Sequence, residues 1–339
     1  MLSSGIQKAI KELVTAILRY VFLLEPAPRQ KIIMIESITN NLEILSRLPF
    51  FYYPFIFIIS LLVGSFLNVV ILRIPKILEQ SYKEECIEIL ELAEPERKNG
   101  SENAQLASQQ QKISLSYPPS TCPKCNTKIK PWHNIPVISY FFLLKGKCHS
   151  CSNPISLRYP LIELITALLS VLTIYLLGFT GAGLLALLLL WTLVSLTMID
   201  IDTFLLPDDL TLPLLWLGLI INSFGVFTDL SSALWGAIVG YGSLWSVFWL
   251  FKLITGKEGM GYGDFKLLAA LGAWMGWQFI PLIIILSSFV GAVIGIAGIL
   301  ILGRDKNIPI PFGPYLAIAG WIGFLWGDQL LNYYFTSIL

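Results

Sequence analysis

The sequence predicts an all-α polytopic membrane protein with about eight transmembrane helices, interrupted once by a polar insertion. Three observations carry that prediction. The 339 residues are 55% hydrophobic and only 13% charged, against roughly 25% charged residues in an ordinary soluble domain, and the mean hydropathy is +0.71. The 23 basic and 22 acidic residues are unevenly spread, with 30 of the 45 in residues 1–158 and 15 in residues 159–339. Apolar runs near the length of about 20 residues that a 30 Å bilayer core requires recur along the chain. This composition excludes a disordered chain, a basic nucleic-acid-binding domain and a soluble enzyme, and makes the lipid bilayer the first partner.

Residues 1–50 are an N-terminal extension and interfacial segment. Ile6 to Leu24 can wind into an amphipathic helix carrying Lys8, Lys11 and Arg19 and lie on the membrane. The alternative is that translation starts at Met34 and residues 1–33 are dispensable. The first transmembrane helix, 51–75, runs from Phe51 to Ile74 and is closed by Arg73 and Pro75. After the insertion, residues 159–339 form a seven-helix body with spans at 159–178, 181–200, 209–227, 231–255, 265–280, 281–302 and 313–333. Short connections make neighbours antiparallel, and the alternation of a membrane β-barrel is absent.

The insertion, 76–158, changes character along its length. Ile77 to Glu96 is charged and helix-like, 99–118 is a linker rich in Gln, Ser, Asn and Gly, and 119–158 holds four of the five cysteines. From 112 onwards it carries Lys112, Lys124, Lys128, Lys130, Lys145, Lys147 and Arg158 and no acid. A basic segment beside a span marks the cytoplasmic side. Lys252 with Lys257, and Arg304 with Lys306, fall on that same side, whereas the loops after 178, 227 and 280 contain no Lys or Arg. The first span therefore runs inward, and the C-terminus lies outside.

Cys122-Pro-Lys-Cys125 and Cys148-His-Ser-Cys151 give a C-x2-C pair, a gap of 22 residues, and a second C-x2-C pair. Two such turns can close a tetrahedral thiolate shell around one zinc ion, which makes the insertion a cytoplasmic zinc-ribbon-like module. Four ligands leave no open position, so the metal is structural. Two disulfides are the alternative, disfavoured in a reducing compartment. Cys86 stands apart as a bystander, and His133 is a surface or interface residue.

Ionisable residues within spans are costly and mark functional sites. Asp200 and Asp202 end the third span, Asp208 and Asp209 follow Pro207, and Asp264 opens the sixth span within Gly259-Met-Gly-Tyr-Gly-Asp-Phe-Lys266. The topology brings Asp200 and Asp264 to one membrane depth. Two facing carboxyls there cannot both ionise cheaply, so one keeps its proton, which is the starting state of an aspartic protease. The plainer alternative is that these acids mark helix ends, with Asp208 or Asp209 as a cap. Proton-coupled transport uses similar carboxylates and is the rival function.

The ordered set of motifs resembles one family. It comprises Gly64-Ser-Phe-Leu-Asn-Val-Val-Ile-Leu-Arg-Ile-Pro75, the paired C-x2-C, Asn134-Ile-Pro-Val-Ile-Ser-Tyr140, and Arg158-Tyr-Pro-Leu-Ile-Glu-Leu164. Ile199-Asp-Ile-Asp-Thr-Phe-Leu-Leu-Pro-Asp208 and Gly261-Tyr-Gly-Asp-Phe-Lys266 complete it. Over about residues 50–335 the chain is similar to the type IV prepilin peptidases, which are bifunctional leader peptidases and N-methyltransferases. The resemblance implies a bacterial inner-membrane aspartyl protease of the GxGD type. Its substrates would be type IV prepilins and type II secretion pseudopilins, cut after a glycine on the cytoplasmic side. The new N-terminal residue, usually Phe, would then be methylated with S-adenosylmethionine. By motif position Asp200 and Asp264 are the catalytic pair, Asp202 and Asp208 are neighbours, Asp209 is a helix cap, and Lys266 and Glu163 are polar partners at membrane depth. No strand–GxGxxG–helix pattern offers a cofactor site. Gly146 and Lys147 are the candidates for contacting the methyl donor, against the alternative of a turn before a zinc knuckle. Gly236, Gly240, Gly291 and Gly295 are expected at close helix contacts. A peptidase without methylation and a catalytically dead scaffold remain as rivals.

Overall fold

Helices form where hydropathy demands that the backbone satisfy itself. The computed structural model describes residues 48–93, 113–257, 259–302 and 310–338. Of the N-terminal extension expected for residues 1–50, residues 1–47 lie outside the described residues, as does most of the linker.

Eight helices occupy the segments expected as spans: α1 (Pro49–Ala93), α2 (Arg158–Leu177), α3 (Gly181–Thr203), α4 (Asp208–Ser223), α5 (Leu230–Thr255), α6 (Tyr262–Met275), α7 (Ile280–Leu302) and α8 (Gly313–Ile338). Five of them, α1, α2, α3, α5 and α7, contain segments long and apolar enough to cross a membrane by length and composition. At 1.5 Å per residue, α4 and α6 reach only about 24 Å and 21 Å, short of a bilayer core. Their ends explain the shortness: Pro207 starts α4, and Gly276, with φ +93°, ends α6.

The first helix does not stop at Pro75. It runs on through the charged segment to Ala93 as one helix of 45 residues with Pro54 and Pro75 inside it. Pro75 removes one backbone donor, but the following residues are strong helix formers, among them Lys83 paired with Glu79 at 2.6 Å one turn away.

The helix ends follow capping rules. The Thr180 hydroxyl accepts from Gly183 N–H at 3.1 Å to open α3, and Asp229 accepts from Ser232 N–H at 2.8 Å to open α5. Gly256 closes α5 with φ +69°, the left-handed position that glycine tolerates best.

Helix α6 is the centre of the bundle, held by α4, α5 and α8, with Phe265 and every residue from Leu267 to Met275 buried. A helix enclosed on all sides need not span the bilayer itself. The Asn222 amide, from α4, donates to the carbonyls of Ala273 and Trp274 at 2.8 and 3.0 Å and satisfies its last turn. Trp274 Nε1 in turn donates to Leu214 O at 2.9 Å.

The α5–α6 contact is a backbone contact, as the small residues at 236 and 240 suggest. A Cβ on Gly236 would stand 2.2 Å from Gly272 O, and one on Gly240 2.7 Å from Leu268 O. Gly291 and Gly295 on α7 instead accommodate the side chains of Tyr315 and Ile310. Gly236→Val is therefore expected to destabilise the bundle by about 3 kcal/mol or more, since two backbones must separate. Thermal unfolding in detergent measures it, with Gly242→Ala, which meets nothing within 4 Å, as the unaffected control.

Among the described residues there is no sheet, only the isolated bridges Thr121–Lys128 and Lys147–Pro154. Both belong to the cysteine insertion.

Candidate active site and metal centre

Asp200 lies in the last turn of α3 and Asp264 in the first turn of α6, and both are buried. The two segments share Leu206 as a neighbour: it lies against Gly313, whose N–H bonds Asp200, and against Gly263, which precedes Asp264. The neighbourhood accounts for the glycines around them. Gly313 N–H, at the start of α8, donates to Asp200 Oδ2 at 3.0 Å. A Cβ on Gly313 would stand 2.7 Å from that same oxygen, and one on Gly263 would stand 2.7 Å from Leu206 Cβ. Leu206 thus wedges between the two glycines, its Cδ atoms 3.1 Å from the Gly313 position. Asp264 N–H donates to Gly261 O at 3.3 Å, while Asp264 Oδ1 is buried with no hydrogen-bond partner. A buried polar atom without a partner costs about 1–3 kcal/mol.

The other acids divide clearly. Arg158, at the start of α2, holds Asp202 through both guanidinium nitrogens, one at 2.7 Å. Lys266 Nζ bonds both oxygens of Asp208 at 2.6 and 2.7 Å, tying α6 to the start of α4. Asp209 lies in the first turn of α4 but does not cap it; the capping position is Pro207, with no side-chain bond. Glu163 is buried on α2 and accepts from the Val137 N–H at 2.8 Å and from Ser65 of α1. It therefore fastens the insertion to the membrane helices. Arg73 does the same one step earlier, donating to the carbonyls of Ser114 and Pro118 at 2.8 and 2.6 Å.

The two cysteine turns are copies of one device. In the first, Cys122 N–H donates to Thr127 O and Asn126 N–H to Cys122 O, at 3.0 and 2.9 Å. In the second, Cys148 N–H donates to Asn153 O and Ser152 N–H to Cys148 O, at 2.8 and 3.0 Å. Asn126 and Ser152 both take φ near +55° at equivalent places. The knuckles face each other: all four Sγ atoms lie within 4.8 Å of one another, a group able to hold a metal ion. Across the knuckles Cys122 and Cys151 stand 3.7 Å apart and Cys125 and Cys148 3.9 Å, far beyond a disulfide bond. The Thr127 side chain and backbone push the Cys125 thiol down to about 6, and the backbone of Cys151 and Ser150 lowers Cys148. Both shifts favour the ligating thiolate, whereas burial and the neighbouring cysteines push Cys151 up to about 11. Cys86 is exposed on α1, outside this cluster. The rings of His133 and His149 pack at 4.9 Å beside it.

Gly146 adopts φ +70°, and a Cβ there would stand 3.1 Å from the Tyr140 hydroxyl. Its carbonyl accepts from Ile155 N–H at 2.8 Å, and Lys147 forms the bridge to Pro154. Gly146 thus makes the turn that enters the second knuckle, and Lys147 is exposed beside it.

Gly313, Leu206 and the pairs Arg158–Asp202 and Lys266–Asp208 were not legible as site components. The Pro311-Phe-Gly-Pro314 turn was the available signal for Gly313, since glycine between prolines marks a constrained loop.

Residues 58–177 match the model of the bacterial peptidase A24 N-terminal domain, and residues 187–296 match that of the type IV leader peptidase family. The chain is 54% identical over 293 residues to the prepilin leader peptidase/N-methyltransferase of Pseudomonas aeruginosa, covering 86% of this chain and 97% of that one. It is 51% identical over 301 residues to the protein of the same description in Aeromonas salmonicida, covering 89% and 100%. It is 43% identical over 286 residues to that of Legionella pneumophila, covering 84% and 95%. No solved structure matches the chain.

Proposed function

The chain belongs to the type IV leader peptidase family, and on that premise we propose that Asp200 and Asp264 cut the leaders of type IV prepilins and type II pseudopilins. The observation that carries this is the pair of buried carboxyls, one bonded by a helix N-terminus and the other holding an unpartnered oxygen. Asp200, bonded by Gly313 N–H, is the ionised base. Asp264, with Oδ1 free, carries the proton.

The scissile bond after the leader glycine lies between them. Asp200 takes a proton from water as the water oxygen bonds the carbonyl carbon, and Asp264 gives its proton to the carbonyl oxygen. Asp200 then protonates the leaving nitrogen, Asp264 recovers its proton from the diol, and the C–N bond breaks. Each carboxyl ends as it began. Lys266 and Arg158 act through Asp208 and Asp202, fixing α6 to α4 and α2 to α3 around the dyad.

The cysteine cluster fits zinc. A tetrahedron with metal–sulfur bonds of about 2.3 Å has sulfur–sulfur edges of about 3.8 Å, and two cross-knuckle separations are 3.7 and 3.9 Å. The ion would join the knuckles and order the insertion. S-adenosylmethionine, when bound, supplies the methyl group for the new amino terminus. Lys147, exposed at the turn made by Gly146, could pair with the donor's carboxylate, and we place the second activity on this face of the insertion. A peptidase that opens inward also accounts for the single cytoplasmic insertion better than a transport path does.

The protein is placed in the bacterial inner membrane, with 76–158 and both aspartates on the cytoplasmic side and the C-terminus outside. It rests on basic loops alternating with loops free of Lys and Arg. Reporter fusions after residues 110, 228 and 339 are expected to read inside, outside and outside. The function itself is tested by incubating the purified protein with a prepilin and labelled S-adenosylmethionine. The mature N-terminus should appear with the mass of one added methyl group; an uncut prepilin would refute the assignment, and a cut but unmethylated product would refute its second half.

A further inference from the structure

The insertion carries an apolar ridge that water would not tolerate. Trp132, Ile135, Ile138, Phe141, Phe142 and Leu143 are all solvent-facing, from 41% exposed at Ile135 to 76% at Phe142. Six large apolar side chains exposed within twelve residues concentrate apolar surface on one segment, and concentrated apolar surface marks contact sites. The anchoring bonds say at what depth the patch lies. Arg73 grips residues 114–118, just ahead of the first knuckle, whereas Ser65 shares Glu163 with Val137. Ser65 precedes Arg73 by eight residues of α1, which is about 12 Å along the helix. On α2, Glu163 lies five residues inward of Arg158, about 7 Å. Two helices thus place Val137 well inside the level of residues 114–118.

We propose that residues 132–143 re-enter the cytoplasmic leaflet beside α1 and α2, with this ridge against lipid acyl chains. The inference rests on the cytoplasmic placement of the insertion. The backbone is suited to that depth, where polar groups must find partners within the protein. Val137 N–H is taken by Glu163, Ser139 N–H by Ile135 O at 3.1 Å, Phe141 N–H by Val137 O at 3.2 Å, and Leu144 N–H by Ser139 O at 2.8 Å. The Ser139 hydroxyl turns inward to His133 O at 2.8 Å, and Pro136 has no N–H to satisfy. A stretch of this length suits a re-entrant or interfacial segment and is too short to span. The flanks are basic on both sides, with Lys128 and Lys130 before the ridge and Lys145 and Lys147 after it, and no acid between 112 and 158. That pattern complements the anionic headgroups of the cytoplasmic leaflet.

The test uses the full chain in nanodiscs of phosphatidylethanolamine and phosphatidylglycerol doped with a photoreactive lipid. With the reactive group in the acyl chain, peptides covering 135–143 should carry adducts at least about tenfold above the second knuckle, as expected for an apolar face buried in the acyl boundary. With the group on the headgroup, adducts should move to the flanking lysine peptides. No acyl adduct on 135–143 while α2 is labelled would overturn the proposal. So would loss of those adducts on adding saturating prepilin, which would make the ridge a substrate surface. Prepilin cleavage in the same nanodiscs is scored separately, so failure of the ridge and failure of the peptidase assignment are told apart.

Discussion

Replacing either Asp200 or Asp264 with asparagine is expected to lower prepilin cleavage by about 10³-fold or more while leaving the protein folded in the membrane. Asparagine keeps the volume of each side chain, and at position 200 its amide oxygen can still accept from Gly313 N–H. What it removes is the ability to take up or give a proton. Asp202→Asn is expected to be far milder, because Asp202 points to Arg158 and is partly exposed. Single-turnover cleavage by the purified variants measures all three. Near-normal cleavage by either dyad variant would remove that residue from the reaction.

Metal content is the second large effect. About one zinc per chain is expected, the full capacity of a closed four-thiolate site. Cys122→Ser with Cys125→Ser should abolish it, and Cys86→Ser should leave it unchanged. Because a structural zinc contributes about 10 kcal/mol or more to forming such a module, the double variant should also open residues 113–158 to limited proteolysis. Elemental analysis and protease mapping report both. A Cys122–Cys125 disulfide in protein prepared without oxygen would contradict the metal site.

The helices and the chemistry-bearing residues were legible for separable reasons. Hydropathy alone locates α2 to α8, since a bilayer permits little else. It does not show that α1 passes Pro75, because the local cost of a proline is small beside a long run of good helix formers. The knuckles were legible because metal ligation needs a fixed spacing. Asp200 and Asp264 stood out because acids at the ends of two spans are expensive without a use, and their pairing as a dyad is what we propose. Partners joined only by tertiary packing were hidden. Glu163 to Val137 spans 26 residues, Lys266 to Asp208 spans 58, and Gly313 to Asp200 spans 113. No local pattern encodes such pairs. The role expected of Asp209 as a cap failed because Pro207, one residue before α4 begins, already holds the capping position.

The measurement that bears most directly on the dyad is kcat/KM of the double variant Asp200→Asn/Asp264→Asn against the two single variants, on one prepilin substrate. If the carboxyls act as one acid–base unit, the double variant is no slower than the slower single one, because the first replacement already removes the unit. If the two losses multiply, the residues act independently and the paired mechanism is wrong.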